Sequence, residues 1–145
     1  MREPATGRKY ARVPLSDPED VGHAVDSARK AQPGWEGLTL LERANWLDRI
    51  ADELEERREE IASVESRDTG KPIGLARNVD ANRSIANFRF FAEMIKNHRD
   101  ETFEMSDAMN YVSSKPVGVG ALITPWNLPL YLLSWKVAPA IGMGN

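Results

Sequence analysis

Up to His98, apolar residues recur mostly every three or four positions, the period of an amphipathic α-helix. The first such stripe is Val21, Ala24, Val25 and Ala28. Asp17 stands where an N-cap belongs, Pro18 takes the first helical position, and Asp20 favours the same end electrostatically. Pro33-Gly34 stops the pattern. Thr39 followed by Glu42 is a capping-box pair that opens a second helix with the stripe Leu47, Ile50, Ala51 and Leu54. The charge run Glu53 to Glu60 reads as its solvated face, with Glu53 placed to pair with Arg57 one turn later. Ile61, Ala62 and Val64 continue helically to Asp68-Thr69-Gly70-Lys71-Pro72, a glycine stop followed by proline. A long helix is expected over roughly 75–97, with Ile85, Phe88, Ala92 and Ile95 on one face and Phe90 and Phe91 widening it. An aromatic stripe at this spacing reads as core.

From residue 109 the period changes. Asn110-Tyr111-Val112-Ser113-Ser114-Lys115 alternates like a strand, and Pro116 puts its end at an edge. Val117 to Thr124 is a continuous β-compatible run suited to a strand buried on both faces. Pro125-Trp126-Asn127-Leu128-Pro129 makes a turn, Leu130 to Ala138 reads as a helix, and Pro139 with the following glycines closes it. At the other end, Pro4-Ala5-Thr6-Gly7 is a turn before a possible strand Tyr10-Ala11-Arg12-Val13. The chain therefore reads as one α/β unit over 1–145. It is mainly helical over 1–108, and 109–145 supplies strands, a turn and the first helix of a Rossmann-like parallel sheet whose returning strand is not within these residues.

Composition removes several functions. With no cysteine, the 145 residues hold no disulfide, thiolate metal site or cysteine nucleophile. His23 and His98 lie far apart in sequence, so no metal site is expected. A net charge of −3 gives no electrostatic reason to expect nucleic acid or an anionic membrane as partner. The apolar stretch Gly120 to Gly144 carries Pro125, Pro129, Pro139 and Lys136, which suits a buried strand-turn-helix and not a membrane span. Met1-Arg2-Glu3-Pro4 lacks the apolar core of a signal peptide, so the cytoplasm is the expected compartment.

Several segments resemble the aldehyde dehydrogenase family in order and spacing. They are Pro4-Ala5-Thr6-Gly7, Asp68-Thr69-Gly70-Lys71-Pro72 and, most specifically, Pro116-Val117-Gly118-Val119 through Ile123-Thr124-Pro125-Trp126-Asn127-Leu128-Pro129-Leu130 to Trp135-Lys136-Val137-Ala138-Pro139-Ala140. Asn87-Phe88-Arg89-Phe90-Phe91-Ala92 together with Trp126 to Leu130 resembles members acting on muconic semialdehydes. The resemblance covers the whole chain but only the first part of a family member.

It implies a reaction in which a cysteine thiolate attacks an aldehyde, hydride passes to NAD or NADP, and glutamate-activated water releases the acid. The developing oxyanion needs a donor that does not titrate, and the resemblance gives that role to Asn127. The residue read alone would be a turn asparagine bonding its own backbone. Ile123, Thr124, Pro125 and Trp126 match residues bordering the cofactor, at the strand end where open α/β sheets bind ligands. Lys136 matches a proton-relay lysine, and otherwise would be a helix-surface cation. The resemblance also implies a small aldehyde substrate and a homo-oligomer. The cysteine, the glutamate base and the glycine-rich dinucleotide turn all fall outside these residues. The chain alone is thus expected to be an inactive portion of the enzyme or, alternatively, a non-catalytic protein that associates with full-length subunits.

Overall fold

Two capping boxes fix where the helical part begins. A computed structural model describes residues 1–145. In it the Asp17 carboxylate accepts from the N–H groups of Glu19 and Asp20, and Asp20 returns a bond to the Asp17 N–H, opening α1 (Pro18–Glu36). Thr39 and Glu42 do the same for α2 (Leu40–Glu56). Both starts fall where the sequence puts them. The Pro33-Gly34 stop does not act, since α1 runs on to Glu36 with Pro33 inside it. Trp35 in this last turn donates its indole N–H to the Ile141 carbonyl at 2.6 Å, which anchors the extra turn.

The chain breaks helix at Arg57, whose backbone leaves the α region, before α3 (Arg58–Thr69). The Arg57 N–H still bonds the Glu53 carbonyl at 3.1 Å, but the guanidinium bonds both oxygens of Glu60 at 2.9 Å in place of the Glu53 carboxylate. Gly70, at φ +77°, ends α3 in the left-handed conformation, and a side chain there would strike the Pro4 ring.

The single helix expected over 75–97 is three pieces: α4 (Ile73–Leu75), a π-helical turn Ala76–Ala81, and α5 (Asn82–Lys96). In the wide turn Asp80 is fully buried and meets the Lys71 ammonium at 2.9 Å, with Glu65 on the same ammonium at 3.5 Å. Burial pushes the Glu65 carboxyl above its usual pKa, with Lys71 pulling the other way.

The core lies where α2 and α5 meet the last helix, α6 (Pro129–Gly142). Ala44, Leu47 and Ala51 come from α2, Ile85, Phe88, Ala92 and Ile95 from α5, and Ala138 from α6. The α5 stripe is thus core, as its spacing indicates. Phe91 joins its edge against Trp135 at 5.7 Å between centroids, whereas Phe90 faces outward. The α1 stripe buries no residue; Ala28 and Ala31 instead face an open groove of about 430 Å³ shared with Val119, Leu122 and Ile141.

Between α5 and α6 runs an antiparallel hairpin, β1 (Glu101–Glu104) with β2 (Met109–Val112), exposed along both strands. It starts ahead of the 108/109 boundary drawn from the sequence. Ser113–Lys115 leave the ladder, and the Ser114 N–H bonds the Asp100 carboxylate at 3.1 Å in place of a backbone partner. Two other strand expectations fail. Tyr10–Val13 forms no strand, and near it only an isolated bridge joins Arg2 to Lys9. Val117–Thr124 forms no ladder and is not buried on both faces: Val117 is 98% and Ile123 82% exposed. A sheet strand needs a neighbour for its N–H and C=O groups, and this run has none beside it. No helix is long and apolar enough to cross a membrane.

Candidate active-site segment

The turn that carries the predicted site residues hangs from α6, so the anchoring of α6 positions the site. Pro129 opens the helix at a position where a missing N–H costs nothing. Pro139 does not close it; the helix continues to Gly142. That last turn is wedged into the core, since a Cβ at Gly142 would lie 2.0 Å from Ile95 Cδ1 and 3.2 Å from Leu47 Cδ1. Buried Arg43 adds a polar lock: its Nε donates to the Gly142 carbonyl at 2.9 Å, and its Nη1 donates to Glu36 at 3.0 Å and to Leu38. Farther along α6, the Asn87 amide donates to Ser134 Oγ at 2.8 Å, and that hydroxyl donates to the Tyr131 carbonyl at 2.6 Å.

Against this frame the six residues fall into two groups. Lys136, exposed on α6, donates to the Ile123 carbonyl at 2.5 Å and so ties the helix to the end of the extended run. Thr124 is half-buried, while Pro125, Trp126 and Asn127 are exposed, Trp126 at 88%. The side-chain bonds of 117–136 involve Asn145, Arg83, Tyr131, Asn87, Ser134 and Lys136, and Asn127 takes part in none of them. Its amide is not spent on its own turn. Trp126, too, is a surface side chain rather than a core aromatic.

On the α5–α6 face, Arg83 Nη1 donates to the Tyr131 hydroxyl at 3.2 Å and its guanidinium lies 5.6 Å from that ring's centroid. Hydrogen bonding toward Trp135 and Arg83 holds the Tyr131 phenol below its usual pKa. Sequence reasoning did not single out Arg83, Arg43 or Asn145, and it gave Asn87 only as part of a family-like segment, with no structural task. The available signal was a polar residue interrupting an apolar stripe, as Asn87 does between Ile85 and Phe88. No group of three or more His, Asp or Glu side chains is arranged to hold a metal ion.

The segment's fold and sequence both have close counterparts. A family model described as "Aldehyde dehydrogenase family" matches residues 1–145. The 2-aminomuconic semialdehyde dehydrogenase of Bos taurus is 50% identical over 145 residues, covering 99% of this chain and 30% of that protein. The 2-hydroxymuconic semialdehyde dehydrogenase of Pseudomonas sp. (strain CF600) is 45% identical, covering 98% and 30%. Among solved structures, PnpE in complex with nicotinamide adenine dinucleotide superposes with a TM-score of 0.96 at 39% identity, covering 100% of this chain and 30% of that one. The glyceraldehyde-3-phosphate dehydrogenase GapN of Methanocaldococcus jannaschii DSM 2661, complexed with NADP, gives 0.94 at 37% identity, covering 99% and 31%. The chain thus spans about 30% of the length of the relatives it matches, and its fold is the N-terminal portion of theirs. The chain belongs to the aldehyde dehydrogenase family.

Proposed function

We propose that these residues supply the oxyanion donor and one border of the cofactor site of an NAD(P)-dependent aldehyde dehydrogenase that oxidises a muconic semialdehyde to the carboxylic acid. The observation that carries this reading is the Asn127 amide, exposed beside α6 and engaged in no hydrogen bond within the chain. A donor free at its N–H groups is what a developing alkoxide requires, because no existing bond has to break when the charge forms. The fit to a dinucleotide is tested by the run Ile123–Trp126: Ile123, Pro125 and Trp126 are exposed at the end of an extended segment, with Thr124 half-buried between them, so their side chains are open to a cofactor surface. When bound, the nicotinamide accepts the hydride.

The remaining work of this chain is positional. Lys136 holds Ile123 by its carbonyl, which fixes the turn against α6, and its ammonium can pass a proton between bulk water and the site. Nucleophile and general base come from outside these residues, since the chain has no cysteine to form the thioester. Similarity to two muconic semialdehyde dehydrogenases supports the substrate class. The exposed apolar side chains of the hairpin, Phe103, Met109, Tyr111 and Val112, support association with further subunits of the same kind. The cytoplasm is the proposed compartment.

The test is an assay of the enzyme subunit that carries this segment, with 2-aminomuconic or 2-hydroxymuconic semialdehyde, an aliphatic aldehyde, and NAD or NADP. The proposal expects reduced nicotinamide to form with a higher kcat/KM for the muconic semialdehydes. No nicotinamide reduction with any aldehyde would contradict it.

A further inference from the structure

The extended run is tied to α6 and the residues that follow it at both ends. At the far end Lys136 holds Ile123. At the near end the Asn145 side chain bridges the two segments. Its Oδ1 accepts from the backbone N–H groups of Val117 at 2.7 Å and Gly118 at 3.0 Å, and its Nδ2 donates to the Ala140 carbonyl at 3.1 Å. The Asn145 backbone N–H reaches the same carbonyl at 3.1 Å. An amide suits this place because it accepts at one end and donates at the other; a carboxylate could do only the first.

The surroundings hold Asn145 in this pose. Gly144, at φ +91°, turns the chain back toward the run, and a Cβ there would lie 2.8 Å from Pro116 Cγ and 3.5 Å from the Arg43 guanidinium. Arg43 fixes the Gly142 carbonyl just before that turn. Helix end, turn and the start of the extended run are thus one hydrogen-bonded unit.

We propose that Asn145 is a positioning residue: by fixing Val117 and Gly118 against the end of α6, it sets the register of the run and so the placement of the Ile123–Asn127 turn at its other end. The role in the reaction rests on the dehydrogenase reading above. Without the near tie, the run pivots on Lys136 alone, and a displacement of the donor on the order of 1 Å costs about 10²-fold in rate.

The experiment uses the full enzyme subunit carrying this segment, as wild type, Asn145→Ala and Asn145→Asp. Amide hydrogen exchange at Val117 and Gly118 and the pre-steady-state rate of nicotinamide reduction are read on the same preparations. Asn145→Ala is expected to speed exchange at those two amides about tenfold or more, with the helix interiors unchanged, and to slow acylation by roughly 10–10². Asn145→Asp keeps the acceptor, so exchange at both amides stays slow and most of the acylation rate returns. It also covers the case in which the alanine variant fails to fold. Unchanged exchange in Asn145→Ala overturns the tie; fast exchange with unchanged acylation overturns the positioning role. A wild type that reduces no nicotinamide sinks the dehydrogenase reading instead, and the exchange measurement then decides the tie alone.

Discussion

Lys136 donates its ammonium proton to the carbonyl oxygen of Ile123 at 2.5 Å, across 13 residues of sequence. The bond holds the turn; the proton relay proposed for the same side chain is a separate task, and substitution separates the two. Lys136→Arg keeps a donor for the Ile123 carbonyl but cannot release a proton near neutral pH. In the enzyme subunit it should melt close to wild type while thioester hydrolysis slows about 10²-fold. Lys136→Met should lose both, with a stability cost of about 0.5–1.5 kcal/mol. Hydrolysis at the wild-type rate in Lys136→Arg would leave the lysine only its structural task. Rapid-quench measurement of the acyl-enzyme decides this.

The contact of Gly142 with Ile95 makes a packing prediction. Gly142→Ala forces its new methyl onto Ile95 Cδ1 and should destabilise by about 1–3 kcal/mol. Ile95→Val removes the atom in the way, so the double variant should recover part of that loss in thermal melts. A non-additive recovery is the expected result.

Around Lys71, two buried carboxylates share one cation. Lys71→Met leaves Glu65 and the fully buried Asp80 uncompensated and should cost about 3–5 kcal/mol by denaturant unfolding. Adding Asp80→Asn should return part of it, because one of the stranded charges is gone.

The α2 capping box makes stability depend on pH. Hydrogen bonds from the Thr39 backbone and hydroxyl hold the Glu42 carboxyl below its ordinary value of 4.5. A carboxyl lowered in the folded state stabilises fully above the unfolded pKa and loses that contribution as pH falls through the folded one. Glu42→Gln should therefore unfold more easily than wild type at neutral pH, with the gap closing as pH falls below the ordinary value of 4.5 and through the lowered one. Melts of both proteins across acid pH check the sign.

The starts of α1 and α2 and the core face of α5 were legible in the sequence because capping and helical spacing are local. Asp17, Thr39 and the stripe Ile85, Phe88, Ala92, Ile95 need no knowledge of distant residues. Val117–Thr124 was misread as buried because its composition reports the surroundings it suits, while burial depends on neighbours that lie elsewhere. The π-helical turn Ala76–Ala81 leaves no mark in the apolar spacing, and the pairing of its buried Asp80 with Lys71, on the other side of Pro72, is visible only in the fold. Of the site, the motif around Asn127 was readable as a resemblance. Asn145 was not, because its partners at Val117 and Ala140 meet only after α6 folds back.

The central claim is that the Asn127 amide stabilises the oxyanion. It is tested most directly by single-turnover reduction of the nicotinamide in the enzyme subunit carrying Asn127→Ala, with cofactor affinity and thermal melts taken alongside. The account predicts a folded protein with near-normal cofactor binding and an acylation rate lower by about 10²–10³. A folded Asn127→Ala enzyme that acylates at the wild-type rate would contradict it.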